Sequence, residues 1–375
     1  MTELSFENLN DVPRLLMEVE LEPIQGSRFQ PTGFPDLGAA VYERPNGKRM
    51  ILLESAQSVA NRLEQVCLEG NGPNIAKELK GLPYILVKLK GEGIDTETSS
   101  LIEAHRINSP YIMNEDDEKH VKFQTDFIKK AEYAAGKQIN WKKIGETLFF
   151  YDPNSVLHGA FMVNLEIDDE KTNVGKGKKR VRINGSRIKV PRALTGFIEA
   201  EDIHEVASGG VKNNPIDPKG EITVKNDKRD VYSNVPYHRM EYTAGKITAF
   251  FNLDLALIDG FGLDPNARSL LIALSLYKIR RFIRTGLRLR TACDLKMKGA
   301  VTVTAPAGFR MPVERELLET IQKAIKNCAE RNLFADPPVT ELETKVERKK
   351  DEKKGATASR DENSGTEPEA VAESE

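Results

Sequence analysis

The amino-acid sequence predicts an α+β domain in which a mixed or antiparallel sheet carries helices on one face. Three observations favour this class. Apolar and polar residues alternate with a period of two in residues 14–24 and 246–258, as in half-buried strands. Apolar residues recur at helical spacing in residues 55–69 and 265–284. Hairpin signals, rather than regular βαβ repeats, separate these patterns, which indicates antiparallel pairing.

The N-terminal part predicts a strand, a hairpin and a helix in that order. RLLMEVELEPI, residues 14–24, is the strand. Asn46-Gly47 is a preferred two-residue turn and lies between two extended runs. Ser55 is a suitable N-cap for the helix that follows, because serine oxygen accepts a hydrogen bond from a free amide of the first turn.

The middle of the chain gives weaker signals. Residues 70–146 are polar and irregular, with short apolar pieces, and we expect them to be an elaboration on the core. TLFFYDPNSVLHGAFMVNLEI, residues 147–167, is expected to be extended or buried.

The C-terminal third has the clearest pattern. KITAFFNLDLALI, residues 246–258, alternates strictly and predicts one long strand. Asp264-Pro265 predicts the start of a helix that ends near Arg284, and residues 287–295 predict a single strand after it. AVTVTAP predicts a further strand, and VERELLETIQKAIKNCAERNL predicts the last helix.

Charge is unevenly distributed along the chain. The formal net charge is −2, but residues 336–375 hold twelve Asp or Glu against seven Lys or Arg, a net of −5, so the preceding residues carry +3. Residues 336–375 also contain few large apolar side chains, and burial cannot offset the entropy lost on ordering them. We therefore predict a domain over residues 1–335 and a disordered charged tail over 336–375.

The cysteines and the apolar runs indicate a cytoplasmic protein without membrane contact. Cys67, Cys293 and Cys328 are far apart and show no metal-ligand spacing, which favours reduced thiols, no disulfide and no zinc. The N-terminus lacks a basic start followed by an apolar run, and the richest apolar run, LLIALSL, is too short to span a bilayer.

LYKIRRFIRTGLRLRTACDL, residues 276–295, carries six cations and one carboxylate. The helix dipole accounts for arginines in the last turns of the predicted helix, where Arg280, Arg281 and Arg284 lie. Arg288 and Arg290 are predicted to share the solvent face of the next strand. Two interpretations stay open for them: a bound anion, or a solvated face with carboxylate partners elsewhere in the sequence.

KTNVGKGKKRVRINGSRIKVPR, residues 171–192, has nine Lys or Arg and no acidic residue. Asn184-Gly185 predicts a hairpin turn, which would place Arg182 opposite Arg187 and Arg180 opposite Lys189 on one face. Like charges opposite each other are unfavourable in a sheet, and a polyanion along that face would reverse the sign. The alternative is an exposed ribbon without a ligand.

Aromatic residues near cations favour single-stranded nucleic acid, RNA above all, over duplex DNA, because unstacked bases need flat partners. Phe29 follows Arg28 in a proline-rich loop, and Tyr237, His238 and Arg239 are consecutive. Spacings typical of helix-turn-helix domains and zinc fingers are absent from the sequence.

Motifs of catalysis are also absent: the sequence has no GxxxxGK[ST], no HExxH and no GxSxG. His238 is the best candidate for acid–base chemistry on a ribose hydroxyl, but binding is the simpler role. We expect no catalytic residue, no metal and no cofactor.

Several strings resemble one family, the backbone subunit of the type I-G (formerly I-U) CRISPR Cascade effector in the RAMP superfamily. They are RFQPTGFPDLGAA, LLESAQSVANRLE, EAHRINSPYI, RINGSRIKVPRALTGFIEAEDI, VYSNVPYHRMEYTA, FFNLDLALIDGFGL and IRRFIRTGLRLRTACDL, which span Arg28 to Asp294. The departure is the glycine-rich C-terminal loop of other RAMP proteins, to which only GFGLD at 260–264 corresponds.

The resemblance implies a ferredoxin-like, RNA-recognition-like palm over about 14–69 and 243–334. It also implies a finger-like insertion at about 70–146 and a basic thumb-like insertion at about 168–235. The implied partners are the CRISPR guide RNA, target DNA through guide pairing, copies of the chain in a head-to-tail filament, the large subunit and the repeat-end-binding or processing subunit. Ribonuclease relatives in the same superfamily leave RNA cleavage open as the alternative, with Asp202 as a candidate thumb aspartate.

The predicted RNA-binding residues share a positive charge or a ring near one. They are Arg28, Phe29, Arg62, Lys178, Lys179, Arg180, Arg182, Arg187, Lys189, Arg192, His238, Arg239, Arg281, Arg284, Arg288 and Arg290.

Overall fold

The computed structural model describes residues 4–34, 36–113, 123–134, 137–163, 165–168, 180–182, 187–219, 221–222, 234–285 and 287–348. The strands are β1 (Arg14–Pro23), β2 (Gly33–Phe34), β3 (Gly38–Ala39), β4 (Val41–Glu43), β5 (Arg49–Glu54), β6 (Tyr84–Gly91), β7 (Ile94–Ser99), β8 (Ala160–Val163), β9 (Glu166–Asp168), β10 (Arg180–Arg182), β11 (Arg187–Val190), β12 (Leu194–Glu201), β13 (His204–Asn213), β14 (Asn234–Thr243), β15 (Lys246–Asp254), β16 (Leu287–Arg290), β17 (Cys293–Met297), β18 (Thr302–Ala305) and β19 (Val339–Lys345). The helices are α1 (Ala56–Gln65), α2 (Pro110–Met113), α3 (Phe123–Lys130), α4 (Trp141–Tyr151), α5 (Pro153–His158), α6 (Leu255–Gly260), α7 (Pro265–Arg284) and α8 (Glu314–Glu330).

The central sheet has the strand order β16-β17-β1-β15-β12-β5-β4, and β18 also pairs with β1. Every pairing in it is antiparallel. The α+β class with an antiparallel sheet is therefore confirmed, whereas the ferredoxin-like palm stays a prediction.

The alternation of β1 and β15 separates a core face from a second face. Met17 pairs with Phe251 on the core face, and both side chains are buried with those of α1 and α7 in one apolar cluster. On the opposite face, Phe250 stacks on Phe197 of β12 with ring centroids 5.0 Å apart. β16 and β5 lie near opposite ends of the strand order, but hydrogen bonds of Arg62 and Arg290 bring the end of β5, helix α1 and β16 together.

Two predicted helix starts are confirmed by their caps. The Ser55 hydroxyl accepts a hydrogen bond from Ser58 N at 3.2 Å at the start of α1. The Asp264 carboxylate accepts from Asn266 N at 2.9 Å at the start of α7. The Asn46-Gly47 hairpin is also confirmed, since β4 and β5 pair antiparallel around it.

Two predicted strands are wrong in part, and one segment expected to be extended or buried is helical. The strand predicted for 246–258 ends at Asp254, because the Asp254 carboxylate accepts from Leu257 N at 2.8 Å and starts α6 instead. The strand predicted for 287–295 is two strands, β16 and β17, which turn at Ala292 with a φ of 57°. The segment 147–167, expected to be extended or buried, is mostly buried over 147–158, but there it is helical in α4 and α5 rather than extended.

The tail predicted to be disordered contains a strand. β19 pairs in parallel with β6, and β7 pairs with the other edge of β6. Leu342 and Thr344 are buried at this position. The prediction is wrong for 339–345, because the long-range pairing partner that orders them is not visible in local composition. Residues 349–375 lie outside the described residues.

Within the described ranges, no helix combines the length and the apolar character needed to cross a membrane.

Candidate nucleic-acid interface

A buried carboxylate holds two arginines beside each other at the side of the central sheet. Glu54, the last residue of β5, is 1% exposed. Its Oε1 accepts a hydrogen bond from Arg62 Nη2 at 3.1 Å and another from Arg290 Nη2. The Ser58 hydroxyl donates to the other oxygen. One negative charge therefore positions two guanidinium groups and leaves one positive charge uncompensated.

Backbone carbonyls fix the same two arginines further. Arg62 Nη2 donates to the carbonyl of Leu289 at 2.6 Å. Arg290 donates to the carbonyls of Leu53 at 2.8 Å and Gln30 at 3.2 Å. Each arginine side chain nevertheless keeps 25% of its surface exposed. These groups are preorganised donors rather than mobile surface cations.

Arg288 is the most exposed cation of this group. Leu287 and Leu289 are buried, as predicted, and Arg288 points to solvent with 78% of its side chain exposed. Its Nε lies 3.7 Å from Asp294 Oδ1, which is a weak, solvated contact. For Arg290 the structure favours the second of the two interpretations, a carboxylate partner elsewhere in the sequence, because Glu54 pairs with Arg290 although the two are 236 residues apart.

Arg192 extends this group along helix α1. Its Nη2 donates to Oε1 of Gln57, which lies on the exposed side of the helix. We call the group the Glu54 surface, and its members are Glu54, Gln57, Arg62, Arg192, Arg288 and Arg290. Three of its arginines, Arg62, Arg288 and Arg290, contact two carboxylates, those of Glu54 and Asp294, so one positive charge remains in surplus among these three.

A second cluster forms around Glu241 in β14. This buried carboxylate lies 3.5 Å from Arg28 Nη1 and accepts from Arg239 Nε at 2.8 Å. The Arg239 guanidinium carbon lies 5.7 Å from the ring centroid of Tyr237, whose ring is 58% exposed. His238 is exposed and pairs across the ribbon with Gly209. The structure thus brings Arg28 and Arg239 together, as two cations on one carboxylate.

Phe29 does not present a ring for stacking, and that prediction is wrong. Its side chain is 1% exposed and belongs to the main apolar core. It is held there by two backbone hydrogen bonds of 2.9 Å with Tyr242, which is itself buried. Because Gln30 follows Phe29 and accepts from Arg290, this short segment connects the Glu241 cluster to the Glu54 surface.

A third carboxylate accounts for Arg281 and Arg284 at the end of α7. Glu314, at the start of α8, lies 3.2 Å from Arg281 Nη1 and 2.5 Å from Arg284 Nε. Burial alone would raise the pKa of Glu314, but its hydrogen bonds and charge interactions with these arginines lower it below its usual value. The contacts join two helices, so a structural role explains both arginines without a ligand.

The basic hairpin predicted around Asn184-Gly185 does not form as expected. β10 pairs with β9, and β11 pairs with β8, so Arg180 and Arg182 are not opposite Lys189 and Arg187. Local turn preference is outweighed by pairing with the preceding strands. Arg187 and Lys189 do share one exposed face of β11. Lys178 and Lys179, and the side chains of Arg180 and Arg182, lie outside the described residues.

Lys278, one of the six cations of the 276–295 segment, is fully buried in α7. Its Nζ lies 2.6 Å from Asn154 Oδ1 and 2.6 Å from His158 Nε2. Burial lowers the pKa of Lys278 and, together with the neighbouring Lys278 charge, holds the pKa of His158 well below its usual value. This polar group is enclosed in the core and is separate from the exposed cations.

The catalytic candidates are not assembled into a recognisable site. Asp202 lies in the turn after β12, with its carboxylate 3.5 Å from Lys48 Nζ. Among the described residues, no three His, Cys, Asp or Glu side chains come together as metal ligands. Sequence reasoning missed Glu54 and Gln57; the only local signal was a glutamate at the end of an apolar strand, directly before a helix cap.

The sequence model of the family described as CRISPR-associated protein GSU0053 (Cas_GSU0053) matches residues 15–205. That range is about half of the 375 residues and includes β1, β5, α1 and most of the Glu54 surface. The chain belongs to this family.

Among solved structures, this family member is similar to a chain of a CRISPR RNA-guided surveillance complex in a pre-nicking state. The two chains are 12% identical, the match covers 85% of this chain and 86% of the other, and the TM-score is 0.34. No curated protein matches this member of the family.

Proposed function

We propose that the chain is the RNA-binding backbone subunit of a type I-G (formerly I-U) CRISPR surveillance complex. In this role it holds the guide RNA through contacts to the sugar-phosphate chain, and the guide pairs with target DNA in antiviral defence. Copies of the chain line up head to tail along the guide in the cytoplasm, together with a large subunit and a subunit that binds or processes the repeat end.

The Glu54 surface carries this proposal. Guanidinium groups bind phosphate oxygens through paired hydrogen bonds, and fixed guanidiniums lose less entropy on binding than mobile ones. Arg62 and Arg290 are fixed by Glu54 and by backbone carbonyls, and Arg288 beside them is exposed. A surplus of positive charge suits a polyanion and gives no means of reading base sequence.

We propose binding without cleavage. General acid–base cleavage of RNA needs a proton acceptor within hydrogen-bond reach of a ribose hydroxyl. The described side chains of the Glu54 surface are permanently charged guanidiniums, an amide and a carboxylate already engaged by two arginines.

The direct test is the nucleic acid that copurifies with the full chain from cells that carry a CRISPR array. The proposal expects RNA of uniform length that contains repeat sequence. Random cellular RNA, or none, would contradict the guide-holding role. Incubation of the purified chain with labelled precursor RNA tests whether the chain cleaves the RNA that it binds. Defined cleavage that is lost in Asp202→Ala or His238→Ala would overturn the proposal of binding without cleavage.

A further inference from the structure

Phe161 lies on the solvent side of a strand pair whose other side is packed. β8 and β11 are antiparallel, with Phe161 opposite Lys189 and Val163 opposite Arg187. On the inner side, Met162 and Ile188 are fully buried. On the outer side, the Phe161 side chain is 53% exposed. The strand pair therefore obtains its packing from the inner side and does not need the exposed ring.

An exposed phenylalanine alone is common and carries no function. The neighbours of Phe161 distinguish it. Directly opposite residues in an antiparallel pair have Cβ atoms about 4.5–5.5 Å apart, and diagonal ones about 7–8 Å. Lys189 is the opposite residue and Arg187 the diagonal one, and both are exposed. One flat ring is thus accompanied by two cations on the same face.

A single strand of nucleic acid suits this face by its chemistry. Each nucleotide is flat in its base and anionic in its phosphate. The ring of Phe161 offers an apolar surface to a base, and the exposed side chains of Arg187 and Lys189 on the same face offer positive charge to the phosphates.

The chain connects this face to the Glu54 surface. Three residues after Lys189 comes Arg192, whose guanidinium contacts Gln57 of α1. An extended backbone spans at most about 3.3–3.6 Å per residue, so the Cα atoms of Lys189 and Arg192 are at most about 11 Å apart. A strand of RNA on the arginines of the Glu54 surface can therefore reach Phe161 within a few nucleotides.

We propose that Phe161 is a stacking platform for one base of the bound single strand, with Arg187 and Lys189 on the flanking phosphates. This inference rests on the proposed RNA-binding function and adds a base contact to it. Because any base has a π face, the platform is tolerant of sequence.

Fluorescence gives the most direct test. The chain has a single tryptophan, Trp141, on helix α4. In a Trp141→Phe, Phe161→Trp variant, the only tryptophan would stand at the platform. Addition of a short single-stranded RNA should quench its emission, with a midpoint that matches the binding curve. Binding without any change in that emission would overturn the platform.

Affinity separates stacking from other roles of the ring. Phe161→Ala should lower affinity for short RNA by about 5- to 150-fold, which corresponds to ~1–3 kcal/mol for base–aromatic stacking. It should not change the salt slope, which is the slope of the logarithm of affinity against the logarithm of salt concentration. Arg187→Gln with Lys189→Gln should instead reduce the slope by about 1.4, at about 0.7 for each phosphate contact.

Phe161→Leu keeps the apolar side chain and loses the flat face, so it should behave like Phe161→Ala. Trp141→Ala removes a comparably exposed aromatic side chain, 43% exposed, and should bind as the wild type does.

These experiments distinguish failure of the proposed RNA-binding function from failure of the Phe161 platform alone. If the wild-type chain binds no RNA, the proposed function itself is wrong. If the wild type binds and Phe161→Ala binds equally well, the platform alone is wrong. Weaker self-association of Phe161→Ala in the absence of RNA, with unchanged affinity for short RNA, would assign the ring to a protein contact and also overturn the platform.

Discussion

The ammonium Nζ of Lys278 lies 2.6 Å from Nε2 of His158 inside the apolar core, and neither side chain reaches solvent. Asn154 accepts from the same lysine, and Cys67 lies 4.0 Å from the asparagine oxygen. Glu64 and Arg106 form a largely buried ion pair nearby, and their charges act on the lysine. A neutral His158 is the form that accepts a hydrogen bond from this lysine.

Acid is expected to destabilise the fold through His158. Its pKa is lowered in the folded chain and near 6.5 in the unfolded chain, so the unfolded chain takes up more protons as the pH falls. The free energy of unfolding should therefore decrease below about pH 6.5, by up to about 1.4 kcal/mol per pH unit. Chemical denaturation at a series of pH values measures this slope.

The control for that slope is His158→Gln, whose amide oxygen can accept from Lys278 but does not titrate. Averaged between pH 7.5 and 5.5, the slope should be smaller in this variant by about half a proton, because the unfolded histidine is about half protonated on average over that window. Equal slopes in the two proteins would show that another group dominates the acid response. Burial raises the pKa of Asp152, and that group acts in the opposite direction at lower pH.

Removal of the Glu54 charge should destabilise the chain. Glu54→Gln leaves two arginines without their shared carboxylate, and loss of one partner of a buried pair costs roughly 3–5 kcal/mol. Because a quarter of each arginine is exposed, we expect the lower part of that range. Urea unfolding of purified protein measures the difference.

An exposed ion pair elsewhere in the chain provides the control for the cost of Glu54→Gln. Glu205 accepts from Arg49 at 2.9 Å, but both side chains are nearly half exposed. Glu205→Gln should cost less than about 1 kcal/mol. Equal costs for the two substitutions would mean that Glu54 has no special structural role.

The strand β19 should contribute to stability although it lies in the acidic C-terminal segment. Leu342→Asp would bury a carboxylate against β6 and should lower the free energy of unfolding by at least about 2 kcal/mol. Glu343→Asp, at an exposed position of the same strand, should change it by no more than about 0.5 kcal/mol. Similar unfolding midpoints for both variants would argue against the pairing of β19 with β6.

Copies of the chain should add to RNA in fixed steps. If each subunit covers a constant stretch of a guide, the mass of the complex rises by one chain for each increment of RNA length. Mass photometry on single-stranded RNAs of graded length counts the chains. One chain on every length would indicate an isolated RNA-binding module instead of a filament subunit.

Local signals in the sequence predicted the elements that depend on nearby residues. Ser55 and Asp264 mark helix starts because their caps bond to amides within three residues. The Asn184-Gly185 hairpin was predicted wrongly, because β10 and β11 pair with β9 and β8 rather than with each other. Turn preference is a local property, whereas strand pairing depends on the whole sheet.

The candidate site could be predicted only in part for the same reason. Positive charge in 276–295 was visible, but its neutralisation was not: Glu54 meets Arg290 across 236 residues of sequence. Phe29 followed an arginine as a stacking residue would, yet its ring completes the core. Exposure of a side chain is set by tertiary packing, and alternation along one strand does not reveal which distant carboxylate will pair with it.

The measurement that tests the central claim most directly is the salt dependence of RNA affinity in Arg288→Gln and in Arg315→Gln. The two arginines are similarly exposed, 78% and 74%, but only Arg288 belongs to the Glu54 surface. Binding of the wild type should weaken steeply between about 50 mM and 200 mM salt. Arg288→Gln should reduce the slope of the logarithm of affinity against the logarithm of salt concentration by about 0.7. Arg315→Gln should leave the slope unchanged. Wild-type affinity that does not depend on salt, or equal effects of the two substitutions, would contradict an RNA backbone held on the Glu54 surface.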